Sequence, residues 1–290
     1  MFIGIDHGTT AMRFASCNNH FKISRRDAIS FEYTQLEELC PIDDIDGIAV
    51  CYSMGDAISE ITDIRAVKNR GIVTREGAGE HIGGGTKVYD EIARSGIPAV
   101  VIPGIHRNSP TDPRFKVYSH QTSPEKLGIA YAVTKDLGGD VIISDISSNT
   151  VSLLVSGGKV VGAFDACIFA PGTTHGAIDV DGIRKIDNGE WSANDAFMHA
   201  GAGANVPEEL QNSTVAMFAA MECASLKLLN RGAKVALAGS LAPVVFGEIE
   251  DLLGEKVAVY DEWCAARGLS MIAEDVFSGK KNILGLNVNL

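Results

Sequence analysis

A chain of 290 residues with 46% hydrophobic and 21% charged residues has room for two modest domains and is too apolar for intrinsic disorder. Its net charge of −12, from 25 basic and 37 acidic residues with no Lys/Arg-rich block, argues against a protein that coats nucleic acid by neutralising phosphates. No apolar stretch reaches the ~20 residues needed to cross a bilayer, so no membrane partner is expected. The opening Met1 to Asp6 has no basic leader, so no signal peptide and a cytoplasmic location are expected. The six cysteines form no CxxC pair and stand at least 11 residues apart, which reads as buried reduced thiols rather than a zinc knuckle or a compact cluster.

Three strand-like runs open the chain, Phe2 to Ile5, Met12 to Cys17 and Phe21 to Ser24, separated by tight polar turns. A helical stretch, Thr34 to Cys40, leads to an apolar strand, Gly47 to Tyr52. Residues 53–85 mix glycines and charges. Val88 to Arg94 reads as a helix and Ala99 to Ile102 as a short buried strand. Pro103 to Pro113 has loop chemistry, and Leu127 to Leu137 has helical periodicity. A second meander follows: Val141 to Ile143, Val151 to Val155, a Gly157-Gly158 hairpin, and Val160 to Phe164. Residues 192–200 read as a short helix capped by Ser192, and Glu208 to Asn230 as a long one behind Pro207. A strand (Val235 to Ala238), a helix (Val244 to Leu253), a strand (Val257 to Tyr260) and a helix (Cys264 to Phe277) end the chain, an alternation that argues for α/β layering.

The two meanders resemble each other. Placing Asp6 on Asp145, 139 positions later, sets Gly8-Thr9-Thr10 on Ser147-Ser148-Asn149 and Met12 to Ala15 on Val151 to Leu154. Val50 to Ser53 and Leu237 to Ser240 end apolar strands at matching places. Internal duplication is the expectation. A carboxylate ending a buried strand requires hydrogen bonds or a cation. In the first turn Gly8 permits a backbone shape open only to glycine, and Thr9 and Thr10 add hydroxyls and N–H groups. Such a turn cradles a phosphate while Asp6 positions hydrated Mg²⁺, or else it is a plain β-turn with a satisfied Asp. Asp145 with Ser147, Ser148 and Asn149 repeats the ingredients without glycine.

These residues resemble the superfamily of acetate and sugar kinases, heat-shock chaperone ATPases and actin. Asp6 to Thr10 is similar to its first phosphate motif, Asp145 to Thr150 to a degenerate second one, and Leu237 to Pro243, with Gly239 and Ser240, to its adenosine motif. The resemblance implies an α/β fold of two ribonuclease-H-like domains, duplicated βββαβα units, around a central nucleotide cleft. The domains are expected at 1–136 and 137–290. Ser123 to Ile129 and Pro171 to Asp179 resemble the acetate and butyrate kinase branch, but Thr174 stands where that branch carries the arginine that steadies phosphoryl charge. In whole-chain character the sequence resembles the uncharacterised archaeal methanogenesis marker protein 12 family, which implies a methanogen cytosol and supplies no reaction. Reductase activators of the same superfamily hold a cluster between subunits, and no cysteine pair here has a bridging motif.

Gly77 to Lys87 misses the dinucleotide fingerprint at Ile82 and reads as an interdomain or dimer-contact loop, with Gly83 to Thr86 at a helix start as the anion-binding alternative. Loop histidines His7, His81, His106, His120 and His175 read as substrate contacts or surface residues. Asp179 and Asp181 suit Mg²⁺, a general base, or plain solvation. The long helix is apolar around most of its circumference and belongs in the interior or at the interface of a homodimer, its methionines as core filler. The expected function is an ATP-dependent phosphotransferase or ATPase. Asp6, Asp145 and Asp179 are catalytic, ATP/ADP and Mg²⁺ are the cofactors, and an unknown small-molecule acceptor lies near Arg107, His120, Thr173 and His175. The alternative is a non-catalytic nucleotide-sensing or assembly protein.

Overall fold

The structure is a computed structural model that describes residues 1–8, 10–51, 58–67 and 84–290. In chain order it contains β1 (Phe2–His7), β2 (Ala11–Ala15), β3 (His20–Ser24), β4 (Gly47–Cys51), β5 (Ile61–Asp63), α1 (Gly84–Arg94), β6 (Ala99–Ile102), β7 (Ile105–His106), β8 (His120–Thr122) and α2 (Glu125–Leu137). There follow β9 (Val141–Ile146), β10 (Thr150–Ser156), β11 (Lys159–Phe164), α3 (Val180–Asp187), α4 (Ala193–Met198), α5 (Ala202–Asn205) and α6 (Glu208–Lys227). The chain closes with β12 (Lys234–Ala238), α7 (Ala242–Leu253), β13 (Ala258–Val259), α8 (Cys264–Phe277), β14 (Asn282–Ile283) and β15 (Leu286–Asn289). No helix among the described residues is long and apolar enough to cross a membrane.

Two compact units result. The first holds Met1–Asp136, Gly158–Val160 and Trp263–Leu290; the second holds Leu137–Gly157 and Val161–Glu262. The chain from Trp263 onward thus returns to the first unit, which a single division at 136/137 would not place there. The reason is local: α8 lies across β1 and β4. Gly4 makes this approach feasible, because a Cβ there would overlap the Ala266 carbonyl oxygen and the Ser270 nitrogen.

The strand orders repeat. The first sheet runs β14-β15-β5-β6-β4-β1-β2-β3, the second β11-β10-β9-β12-β13. Within them β3-β2-β1-β4-β6 matches β11-β10-β9-β12-β13. β1 pairs antiparallel with β2 and parallel with β4, as β9 does with β10 and β12. The constant offset of 139 does not survive the turn. His7 faces Met12 across four connecting residues, whereas Ile146 faces Thr150 across three, so Met12 corresponds to Thr150 rather than Val151.

Thr34 to Cys40, expected as a helix, is a 3₁₀ helix at Tyr33–Glu38, with Glu32 and Gln35 forming a capping box and Pro41 close behind. The first unit therefore lacks the α-helix that a βββαβα unit places before its fourth strand. Its core gathers Ile3, Ile5, Phe14, Phe31, Leu36, Ile48, Val88 and Ile92, with Phe14 stacked between Phe21 and Phe31. In the second unit α6 packs on β9 and β10, burying Val215, Ala219, Cys223 and Leu226. Of the two expectations for this helix, interior or subunit interface, full burial does not hold: Met217 and Met221 are exposed, not core filler. Cys40, Cys51, Cys223 and Cys264 are buried, Cys17 and Cys167 exposed.

Gly4→Ala is expected to cost about 2 kcal/mol or more through overpacking, read as a lower urea midpoint. Gly247→Ala, in α7 with open space around it, is the matched control and is expected to be neutral or stabilising by about 0.5 kcal/mol.

Candidate functional site

In the first unit the chain from Ile3 to Asp6 is buried as β1 reaches its turn. A carboxylate in that position needs compensation. Arg13 stands directly opposite Asp6 in the β1–β2 ladder, its Nη1 3.5 Å from Asp6 Oδ2. Gly8 has no left-handed φ, which corrects the backbone-shape expectation. Its role is space, since a Cβ would come within 2.6 Å of Arg13 Nη1 and 2.8 Å of the Ala11 carbonyl oxygen. Thr10 is exposed, and its carbonyl accepts the Arg25 N–H at 3.1 Å. Thr9, Tyr52, Ser53 and the stretch from Gly77 to Gly83, His81 included, lie outside the described residues.

His7 extends the site toward α1. A Cβ on Gly85 would overlap its imidazole, and one on Gly84 would overlap Arg25 O and approach Ala28 within 2.6 Å, so these two glycines are packing residues. Burial, then the charge of Arg25, pulls the His7 pKa down to about 4 against the opposing effect of Glu125, leaving the ring neutral. Beyond His7, Cys51 at the end of β4 places its Sγ 3.5 Å from Glu125 Oε2. Glu125 begins α2, pairs with Lys126 at 3.0 Å and accepts the Ser123 hydroxyl. Burial alone would raise its pKa; Lys126 and Ser123 outweigh that and hold it at about 2. Arg13, Glu125 and Lys126 were not singled out from the sequence as site residues. Counting the β1–β2 register across its turn would have found Arg13.

In the second unit Asp145, buried near the end of β9, sits beside Gly239 at the end of β12. Gly239 has φ +92°, and a Cβ there would overlap Asp145 Oδ1 and the Ile146 carbonyl oxygen. Small residues in the adenosine-like motif thus let its backbone approach Asp145. Ser240 is exposed. The turn after β9 is occupied internally: Ser147 N–H donates to Asn149 O at 2.7 Å, Thr173 N–H to Ser147 O at 3.0 Å, and Thr174 and His175 N–H to Ser148 O at 3.1 and 3.0 Å. Thr150 Oγ1 fixes Pro171 O at 2.7 Å. The structure therefore brings Asp145, Ser147, Ser148, Asn149, Thr173, His175 and Gly239 together.

His175 is buried, its Nε2 2.8 Å from Met198 Sδ and its ring 4.7 Å from that of Phe197; burial lowers its pKa. Asp179, expected as catalytic, caps α3: its carboxylate accepts the Asp181 and Gly182 N–H groups. Asp181 pairs with Lys185 at 2.8 Å. Arg107 donates to Lys116 O at 3.1 Å, and His120 faces His106 across the β7–β8 ribbon. Arg114 is held by Asp112 at 2.7 Å.

Glu222 also escaped sequence reading, although its spacing from Ala219 and Leu226 puts it on the buried face of α6. Its Oε1 accepts the Ala170 N–H at 3.0 Å, just before the segment that covers the second turn. Burial pushes its pKa up to about 8 despite hydrogen bonds from Ser152 and Ala170.

No protein-family model matches the chain. Among solved structures it resembles a ROK-family glucokinase from Streptomyces griseus in complex with glucose and AMPPNP (TM-score 0.54, 14% identity, 94% of this chain and 99% of that one). It also resembles acetate kinase from Porphyromonas gingivalis (TM-score 0.53, 11% identity, 92% and 89%). The fold is that of the acetate- and sugar-kinase-like, actin-related proteins, mixed α/β with two domains. Whole-length relatives are closer: UPF0285 proteins of Methanosarcina mazei (45% identical, 99% of both chains), Methanocaldococcus jannaschii (43%, 99% and 98%) and Methanothermobacter thermautotrophicus (41%, 100% and 99%). The chain belongs to the UPF0285 family of methanogens.

Because the folded Glu222 pKa lies above its ordinary 4.5, the native state holds a proton that the unfolded chain loses first. Stability is expected to fall as pH rises from about 4.5 to about 8 and then to level off. Glu222→Gln keeps the acceptor for Ala170 without a charge to bury. Its urea midpoint is expected to lose this slope and to exceed wild type above pH 8.

Proposed function

We propose that the protein is an ATP-dependent phosphotransferase or ATPase of methanogen metabolism, working in the cytoplasm. One observation carries the reading: two units with matching strand orders each end their central strand on a buried carboxylate followed by a polar turn, at Asp6 and at Asp145. In this reading the carboxylates hold Mg²⁺ through water; carboxylates and hydroxyls are the donor set such a hard cation takes. Gly8, Thr9 and Thr10 bind one part of the phosphate chain and Ser147, Ser148 and Asn149 another. Gly239 and Ser240 border the adenosine, and the acceptor meets Arg107, His120, Thr173 and His175. The AMPPNP bound by the Streptomyces griseus glucokinase supports a nucleotide ligand. The resemblance to the methanogenesis marker protein 12 family belongs to the same proposal.

A second reading, a nucleotide sensor or assembly protein without catalysis, is favoured by the second turn. Its Ser147 N–H and the Ser147 and Ser148 carbonyls are already bonded within the chain, and Thr174 stands in place of a phosphoryl-steadying arginine. Calorimetry with ATP and ADP in Mg²⁺ tests both. Binding weakened about tenfold or more, ~1.4 kcal/mol, by Asp6→Asn supports the nucleotide site. Turnover by the wild type then selects the enzyme, and binding without turnover over a screen of phosphoryl acceptors selects the sensor. No binding at millimolar nucleotide overturns both.

A further inference from the structure

The face of α6 turned away from β9 and β10 carries Leu210, Met217, Met221 and, at its C-cap, Leu228, which are 50%, 42%, 46% and 78% exposed. Thr214, half-buried, and Ala224, exposed, complete the row. The six residues follow one another at alternating spacings of four and three, the pattern of a coiled-coil seam rather than of scattered surface apolar residues. At 1.5 Å per residue the seam is ~27 Å long.

In residue type the seam is nearly symmetric about Ala219, with Thr214 and Ala224 as the one unlike pair. Leu210 and Leu228, Thr214 and Ala224, and Met217 and Met221 are each equidistant from Ala219. A twofold axis passing at Ala219 therefore brings leucine onto leucine and methionine onto methionine, and sets Thr214 against the small Ala224. We infer that this face is the interface of a homodimer, in which α6 of one chain packs antiparallel on α6 of a second copy. Leu210 then meets the partner's Leu228, and Met217 meets the partner's Met221.

Charge selects the direction. Exposed Glu208 and Glu209 open the helix, and exposed Arg231 follows its end. An antiparallel copy sets each acidic start beside a basic end, whereas a parallel copy would set acid on acid. Opposed helix dipoles add to the same preference. The two methionines at the centre, flexible and polarisable, suit a contact in which each side chain must fit its counterpart across the axis.

Sedimentation of the full chain tests this. Wild type is expected at twice the 30.7 kDa chain mass, and Met217→Glu and Met221→Lys are each expected to shift it to the single-chain mass. Combining the two substitutions is expected to restore the dimer, because the introduced carboxylate of one chain then faces the introduced ammonium of the other. Unchanged circular dichroism shows that each variant is folded. A monomeric wild type, a dimer that survives both single substitutions, or a combined variant that stays monomeric overturns the proposal.

Discussion

A carboxylate near the end of a buried central strand is the constraint around which each unit is arranged. In the first unit the solution is a cation: Arg13 is delivered opposite Asp6 by the ladder itself, and Gly8 leaves the space its guanidinium occupies. In the second unit the residue opposite Asp145 is Val151, and the neighbour against the carboxylate is the backbone of Gly239. One strand order thus places its two acids opposite different residues, an arginine and a valine.

The remaining buried ionisable groups show how the same physics yields opposite protonation states. Glu125 is buried but has Lys126 and the Ser123 hydroxyl, and it stays ionised. Glu222 is buried, accepts the Ala170 N–H and feels the charge of Asp165, and it keeps its proton near neutrality. His7, pressed against the start of α1 near Arg25, stays neutral for the same reason with the sign reversed. Glu222 is linked through Ala170 to the 171–176 segment that lies on the second turn.

Features carried by local chemistry were legible in the sequence. Ser192 caps α4, with Asp195 returning the bond. Cys264 to Phe277 is helical throughout its expected span, and Gly157 and Gly158 take the positive φ of a tight hairpin. Features that depend on register or on distant packing were not. The one-residue difference between the two turns hides the Asp6–Arg13 pairing from an ungapped alignment. The return of α8 to β1 depends on Gly4, whose need for closeness leaves no periodic signal. The capping role of Asp179 was not legible from its residue type; the helix start at Val180 reveals it. The apolar count around α6 left interior and subunit interface open, and only the exposure of Met217 and Met221 separates the two.

The central claim is that the buried strand-end carboxylates exist to hold a metal–nucleotide. Anomalous scattering from Mn²⁺, in crystals grown with a non-hydrolysable ATP analogue, addresses it most directly. A manganese peak is expected one water molecule away from the Asp6 carboxylate, with the triphosphate against Gly8 and Thr10. Nucleotide and metal bound elsewhere, with no metal density near Asp6, would contradict it.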